Sequence, residues 1–403
     1  MKKVLLLWVL NCLTMLVSAQ NIYICKDGNY TKTSITNGLE IDLSAGIDSI
    51  TFSKPDLLPT VKIVYSGTSA TVTIPEGISE YVTCSSGTSS NVVLTNTNTT
   101  DEYAYAVSGS STAGSLTIAA DYKMTVKLNG VSLTSTTGAA IDLQCGKRIE
   151  VVLGNGTTNT LADYAGGEQK GCLTTKGHLE LSGAGTLNVT GNFNHAIRAK
   201  EYILVKKTTG TINIVKAASD GIHAGQYFQM NGGTINIDAN TLGDGIQAEY
   251  KTDDNDVVIP LAEDPDNTGG IIIKGGTFNI TMGGSEDTKG IKADGNIAVS
   301  GGTFAINANK NGSRGIQTDG NMTISATDGT TRMVIYAAGG KCTNTEHKAD
   351  PHKCMGIKVD GNLTISGGTI TVYNTGNKAK GIKIGGIYTK TGGTVTAAID
   401  EPD

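Results

Sequence analysis

The sequence predicts an all-β protein whose main body is a right-handed parallel β-helix, and three observations carry that prediction. The dipeptide Gly-Ile recurs at 221, 245, 290, 315, 356 and 381, with Ala196-Ile197 as a variant. Most steps are 24 or 25 residues, and a fixed period in this range marks a solenoid. A second phrase, Gly-Gly-Thr, begins at Gly232, Gly301, Gly367 and Gly392, eleven residues after a Gly-Ile. Apolar residues then alternate with polar ones, as in Ile297 and Val299 or Phe304 and Ile306, which is the period of a strand with one buried face. One such repeat cannot bury its own apolar face, but stacked repeats can. About ten coils are expected, about 4.8 Å apart and paired as parallel sheets. The glycines are expected at corners, where they supply positive φ.

Taken in order, Met1 to Ala19 reads as a secretory signal peptide. Lys2 and Lys3 precede an apolar run, and Val17-Ser18-Ala19 forms a cleavage site. No other apolar run approaches the roughly 18 residues of a membrane span. The mature chain is therefore expected outside the cytoplasm: secreted, periplasmic or on the cell surface. Losing Lys2 and Lys3 takes the net charge from −5 to −7, which argues against nucleic acid as a partner. Residues 20–60 form a separate small β module or cap, with strands near Ile22 and Ile50. Residues 61–403 form the β-helix, with irregular first coils through Val61–Val64 and Thr71–Ile74. The long steps 245 to 290 and 315 to 356 hold inserted loops at 250–270 and 336–354. Such loops are expected to help form a binding face. The first of them is acidic, although its bland reading is a flexible solvated loop. Six cysteines remain after cleavage; Cys342 and Cys354 flank the second loop and are the favoured disulfide pair.

In a β-helix, equal positions stack into lanes. Before each Gly-Ile stand Lys170, His195, Asp220, Asp244, Lys289, Arg314, Met355 and Lys380; five residues later stand Thr175, Lys200, Gly225, Glu249, Asp294, Asp319, Asp360 and Gly385. Stacked carboxylates repel unless something lies between them. Asp220, Asp244 and Glu249, with Asp294 and Asp319, are therefore candidate calcium ligands, since calcium takes carboxylate and carbonyl oxygens. The competing reading makes them turn residues that cap their own backbone. Two positions past each Gly runs a basic and polar stripe: Arg198, His223, Gln247, Lys292, Gln317, Lys358 and Lys383. It is suited to the carboxylates of an acidic polysaccharide. Tyr202 and Tyr227 share a lane and offer rings for sugars, with Asn296, Asn321 and Asn362 further along as an amide ladder.

An ordered string also carries a resemblance. It runs through Leu128-Asn129-Gly130-Val131, Gly154-Asn155-Gly156-Thr157, Gly183-Ala184-Gly185-Thr186 and Asn192-Phe193-Asn194-His195-Ala196-Ile197 into the Gly-Ile and Gly-Gly-Thr repeats. From about Val61 to Ala397 the chain resembles a family of bacterial exported carbohydrate-binding proteins. The resemblance implies a calcium-binding right-handed parallel β-helix, similar in fold to polysaccharide lyases, that binds plant polysaccharides such as polygalacturonate (pectin) and cellulose. The chain departs from that pattern at Ala196, Lys289, Arg314 and Met355. The expected function is calcium-assisted, non-catalytic polysaccharide binding by a monomer. The alternatives are a polysaccharide lyase using Lys292 or Arg198 as its base, and a surface adhesin. No isolated acid pair or Ser-His-Asp set points to a hydrolase.

Overall fold

The computed structural model describes the backbone at 21–26, 29–34 and 49–51, and whole residues at 58–326, 331–342 and 352–400. The expected signal peptide, the Cys25 side chain and the middle of the second inserted loop lie outside what is described. The chain divides into two units, Met1–Pro59 and Thr60–Asp403. In the first, Asn21–Lys26 pairs antiparallel with both Asn29–Ser34 and Ser49–Thr51. The strand at 29–34 goes beyond the two strands that the sequence predicts here.

The second unit is a parallel β-helix with three faces. The first face carries the Gly-Ile phrase. Ile246, Ile291, Ile316, Ile357 and Ile382 stand directly opposite one another through successive coils. This face is a 13-stranded sheet running from Val82–Cys84 to Ile399–Asp400. The second face, through Ile271, Ile297, Met322 and Leu363, and the third, through Phe278, Phe304, Met333 and Ile370, stack in the same way. They merge in Met124–Thr134, whose first half pairs with Ile149–Leu153 and whose second half pairs with Thr158–Ala162. All of the inward residues just named are buried. Phe278 and Phe304 stack inside with ring centroids 4.7 Å apart.

Two features differ from expectation. Thr60–Ser66 folds back antiparallel onto Ser69–Thr73, and Val82–Cys84 is antiparallel to Asn91–Asn96. The first strands are thus hairpins that also pair in parallel with the coil above, through Tyr103–Ser111 and Ser115–Ala120, the tight return at Ser66–Ser69 being made through Gly67 at φ +63. The glycines also have two uses. In Gly-Gly-Thr the second glycine supplies positive φ, as at Gly302 (+103). In Gly-Ile the glycine admits the neighbouring coil, because a Cβ on Gly290 would sit 2.6 Å from the Gly315 carbonyl oxygen.

Insertions leave the coil without disturbing it. The loop at 250–270 is pinned by buried Asn267, which accepts from the Lys251 N–H (2.6 Å) and donates to the Lys251 and Ile259 carbonyls (2.9 and 2.7 Å). Cys342 and Cys354 are not bridged, contrary to expectation. The Cys342 thiol faces Glu286 Oε2 at 3.5 Å and the Cys354 thiol faces the Ala308 carbonyl at 3.4 Å, so the two sulfurs serve different partners. Among the described residues, no helix is long and apolar enough to cross a membrane, which says nothing of membrane-crossing strands.

The stack makes each inward isoleucine a neighbour of two others. Ile291→Asp puts an unpaired charge between Ile246 and Ile316 and is expected to cost more than about 4 kcal/mol. Ile291→Val should cost only about 0.5–1.5 kcal/mol. Denaturant unfolding of the two variants checks the contrast.

Candidate functional site

The basic stripe is in register as the spacing predicts. Arg198, His223, Gln247, Lys292, Gln317, Lys358 and Lys383 stand opposite one another along the first face. Two residues on runs the carboxylate lane. Each of its members is held by the stripe residue of its own coil. Gln247 Nε2 donates to Glu249 (3.2 Å), Lys292 Nζ lies 3.4 Å from Asp294, Gln317 Nε2 donates to Asp319 (3.2 Å), and Lys358 Nζ lies 2.6 Å from Asp360. Like charges stacked along one lane are thus offset sideways by the next. Burial pushes the Asp294 carboxyl up against the pull of Lys292. Burial alone would lower Lys292, but Asp294 and Asp244 outweigh it and hold it up as an ammonium.

Toward the C-terminal coils the stripe becomes the wall of a groove of about 480 Å³. Its lining has seven Lys or Arg (Lys289, Lys292, Arg314, Lys353, Lys358, Lys380 and Lys383) against two aspartates, Asp287 and Asp319, with Gln317, His352 and Met355 completing it. Asp287 organises one side. It accepts from Arg314 Nη1 at 2.7 Å and meets His352 Nδ1 at 2.9 Å. Burial alone would raise its carboxyl, but Lys289, His352 and Arg314 hold it below the usual range. Arg314 is only 3% exposed, and its Nε has no hydrogen-bond partner; the same is true of Gln317 Oε1. A buried donor and a buried acceptor therefore remain unsatisfied in the lining, which is costly unless a ligand or water meets them. Lys353 and Lys383 have no carboxylate in ion-pair range among the described residues. The second inserted loop contributes His352 and Lys353 to the groove; the first lines no part of it.

The metal candidates divide. Glu249, Asp294 and Asp319 sit in the carboxylate lane. Asp220 and Asp244 sit in the lane before the glycine, and there they cap backbone. Asp220 Oδ1 accepts the Asp244 N–H at 2.8 Å, and Asp244 Oδ1 accepts the Lys289 N–H at 2.7 Å. Asp220 Oδ2 lies 2.9 Å from His223 Nδ1 and 3.2 Å from His195 Nδ1. His223 Nε2 in turn meets Glu249 Oε1 at 3.0 Å. Burial alone would lower His223, but the hydrogen bonds it donates to the Asp220 and Glu249 carboxylates carry it up to about 9. Burial would raise Asp220, yet the two histidines hold it well below the usual carboxylate range. Asp244 is pushed by burial up to about 6. Upstream, the lane slips by one from the expected register. Leu173 pairs with Ile197, so Gly171, not Lys170, stands opposite His195, and Thr175 pairs with Ala199 rather than Lys200.

Tyr202 stacks on Tyr227 on one side (4.7 Å) and on His178 on the other (4.2 Å). Their faces are turned to one another, so the stack presents ring edges rather than a sugar platform along its length. Asn296, Asn321 and Asn362 accept backbone N–H groups of the next coil, each at 2.8 Å, instead of bonding side chain to side chain. The amide-to-amide ladder is elsewhere, through Asn188, Asn213, Asn236 and Asn279 at 2.7–2.8 Å on the third face. Arg198 has no ion pair among the described residues, and burial lowers its guanidinium against the pull of Glu249. Asp287 and His352 escape a reading of the sequence because Asp287 lies in the turn before Gly290, outside the lanes that the spacing sets, and His352 lies in the second inserted loop. Arg314, Lys289 and Lys380 are visible as neighbours in the pre-glycine lane, but spacing alone does not join them to the stripe beside them.

A family model described as carbohydrate-binding domain-containing protein matches residues 88–401. A solved structure, the polysaccharide lyase-like protein from C. thermocellum in a gadolinium derivative, superposes with a TM-score of 0.51. The superposition spans 67% of this chain and 98% of that one at 20% identity, a likeness of fold. No curated protein matches the sequence.

If Asp244 serves chiefly as a backbone cap, shape matters more than charge. Asp244→Asn keeps an oxygen for the Lys289 N–H and should shift stability little. Asp244→Ala leaves that N–H unmet and should cost about 1–3 kcal/mol. Paired chemical denaturation curves read the difference.

Proposed function

The chain belongs to the family of carbohydrate-binding domain-containing proteins, and from that premise we propose that it binds an acidic plant-type polysaccharide, without altering it, along the basic groove of the first face. One observation carries the reading: seven cationic side chains converge on about 480 Å³ of groove in a chain whose net charge is −5. Such segregation suits a ligand with repeated carboxylates. Lys383 meets them as a mobile point charge and Lys292 and Lys358 as cations shared with Asp294 and Asp360, while buried Arg314, anchored on Asp287, offers a fixed donor. Gln317 Oε1 is free to accept from a sugar hydroxyl. Export through a leader at 1–19 fits a polymer met outside the cell.

Calcium belongs to the same proposal, at a different place from the one the stacking of Asp220 and Asp244 suggests. Those two do not suit it, because their oxygens serve backbone N–H groups and histidines. Glu249, Asp294 and Asp319 suit it better. They are oxygen donors on successive coils, about 4.8 Å apart, beside Lys292 and Gln317 of the groove wall. There the ion would draw the ligand's carboxylates to the protein's own.

A lyase is the second reading, favoured by one observation: burial lowers the Arg198 guanidinium. Against it, an arginine keeps its proton at working pH, and Lys292 is held as an ammonium by Asp294. Incubation with polygalacturonate and calcium, followed by ultraviolet absorbance, should show no unsaturated uronide; its appearance makes the protein an enzyme.

For binding itself, Lys358→Glu with Lys383→Glu should weaken polygalacturonate affinity at least tenfold by titration calorimetry, a change of about 1.4 kcal/mol or more. Added salt should weaken the wild type in the same direction. Equal binding of a neutral glucan such as cellulose, insensitive to the substitutions, would remove the groove from the account.

A further inference from the structure

The cluster upstream of the groove has chemistry that the polysaccharide reading does not use. His195 and Asp220 occupy the same lane on adjacent coils, and His223 stands three residues beyond Asp220. The ligating atoms of these three residues lie within 4.8 Å of one another. Their side chains are only 12%, 9% and 9% exposed. The two imidazole rings stack with centroids 4.2 Å apart, so both Nδ1 atoms address the same Asp220 oxygen.

We propose that His195 Nδ1, His223 Nδ1 and Asp220 Oδ2 bind a divalent transition metal of the zinc class, with Glu249 as the carboxylate that orients His223. The donor set decides the class: two imidazole nitrogens and one carboxylate suit zinc, copper or nickel, whereas calcium takes oxygens. Two of the three separations suit it as they stand, and the third, between the two ring nitrogens, is within 4.8 Å. In a tetrahedral site with metal–nitrogen bonds of about 2.0–2.1 Å, ligand atoms stand about 3.3 Å apart. Asp220 Oδ2 already lies 2.9 and 3.2 Å from the two ring nitrogens. Glu249 supplies an independent sign. Its Oε1 lies 3.0 Å from His223 Nε2, so that nitrogen donates outward and Nδ1 is left to face inward. A carboxylate behind a ligating histidine is the usual partner of such a site.

The ion takes the place of the proton between His223 and Asp220. It also displaces the Asp220 N–H, which bonds to His195 Nδ1 at 3.2 Å. Because His195 belongs to one coil and Asp220 and His223 to the next, the metal staples two levels of the stack. Its fourth position falls to water.

The test uses the full chain, stripped with chelator and titrated with zinc, cobalt or calcium. Zinc should bind once per chain and raise the melting temperature, and an equal concentration of calcium should neither match nor compete with it. Cobalt should give the visible spectrum of a nitrogen- and oxygen-ligated tetrahedral ion. His223→Gln and His195→Gln should each weaken zinc by at least a hundredfold, and Glu249→Gln by about 10- to 100-fold. Absence of saturable zinc binding overturns the proposal. So does zinc binding that survives both histidine substitutions, or a cobalt spectrum with thiolate charge transfer, which would move the ion to Cys342 or Cys354. The cobalt spectrum of the unsubstituted chain decides the matter even if the variants do not fold.

Discussion

Everything in the second unit depends on one constraint: successive coils pair in parallel register, about 4.8 Å apart. A residue then has its equivalents directly above and below it, and any side-chain type that recurs at the period becomes a continuous lane. For isoleucine this is cohesive, as in the run from Ile246 to Ile382. For charged residues it is a problem that the fold must solve at each level.

The solutions seen here are local. Glu249, Asp294, Asp319 and Asp360 are each tied to a cation or amide two residues earlier on the same coil, so two unfavourable lanes become one mixed strip. Asp220 and Asp244 turn their oxygens to the backbone of the following coil. The Asn296 lane does the same. Where this compensation stops, charge accumulates. Lys353 and Lys383 lack carboxylate partners among the described residues, and Arg314 and Gln317 keep an unmet polar atom each. The groove is therefore the place where the regular compensation of the stack fails, and it is this surplus of cations that the proposed ligand would meet.

Much of this is legible in the sequence, because periodicity alone sets register. The spacing of Gly221, Gly245 and Gly290 is enough to put His223, Gln247 and Lys292 in one lane, and there they stand. What spacing does not carry is direction. It does not show that Asp220 and Asp244 turn toward backbone, or that the rings of Tyr202 and Tyr227 face each other. Contributions from outside the repeat are invisible as well. Asp287 reaches the groove from the turn before Gly290 and His352 from the second inserted loop, and their pairing spans 65 residues of chain. The register slip at Gly171 has a quieter cause: the phrase there reads Gly-Cys-Leu, so its glycine falls one residue early.

The most direct test of the groove as the ligand site is lysine footprinting with an amine-reactive reagent, with and without polygalacturonate. The account predicts that Lys292, Lys358 and Lys383 are protected by the acidic polymer, while exposed Lys62 and Lys147, far upstream in the chain, label as before. Labelling of the three groove lysines that does not change when the polymer is bound would contradict it.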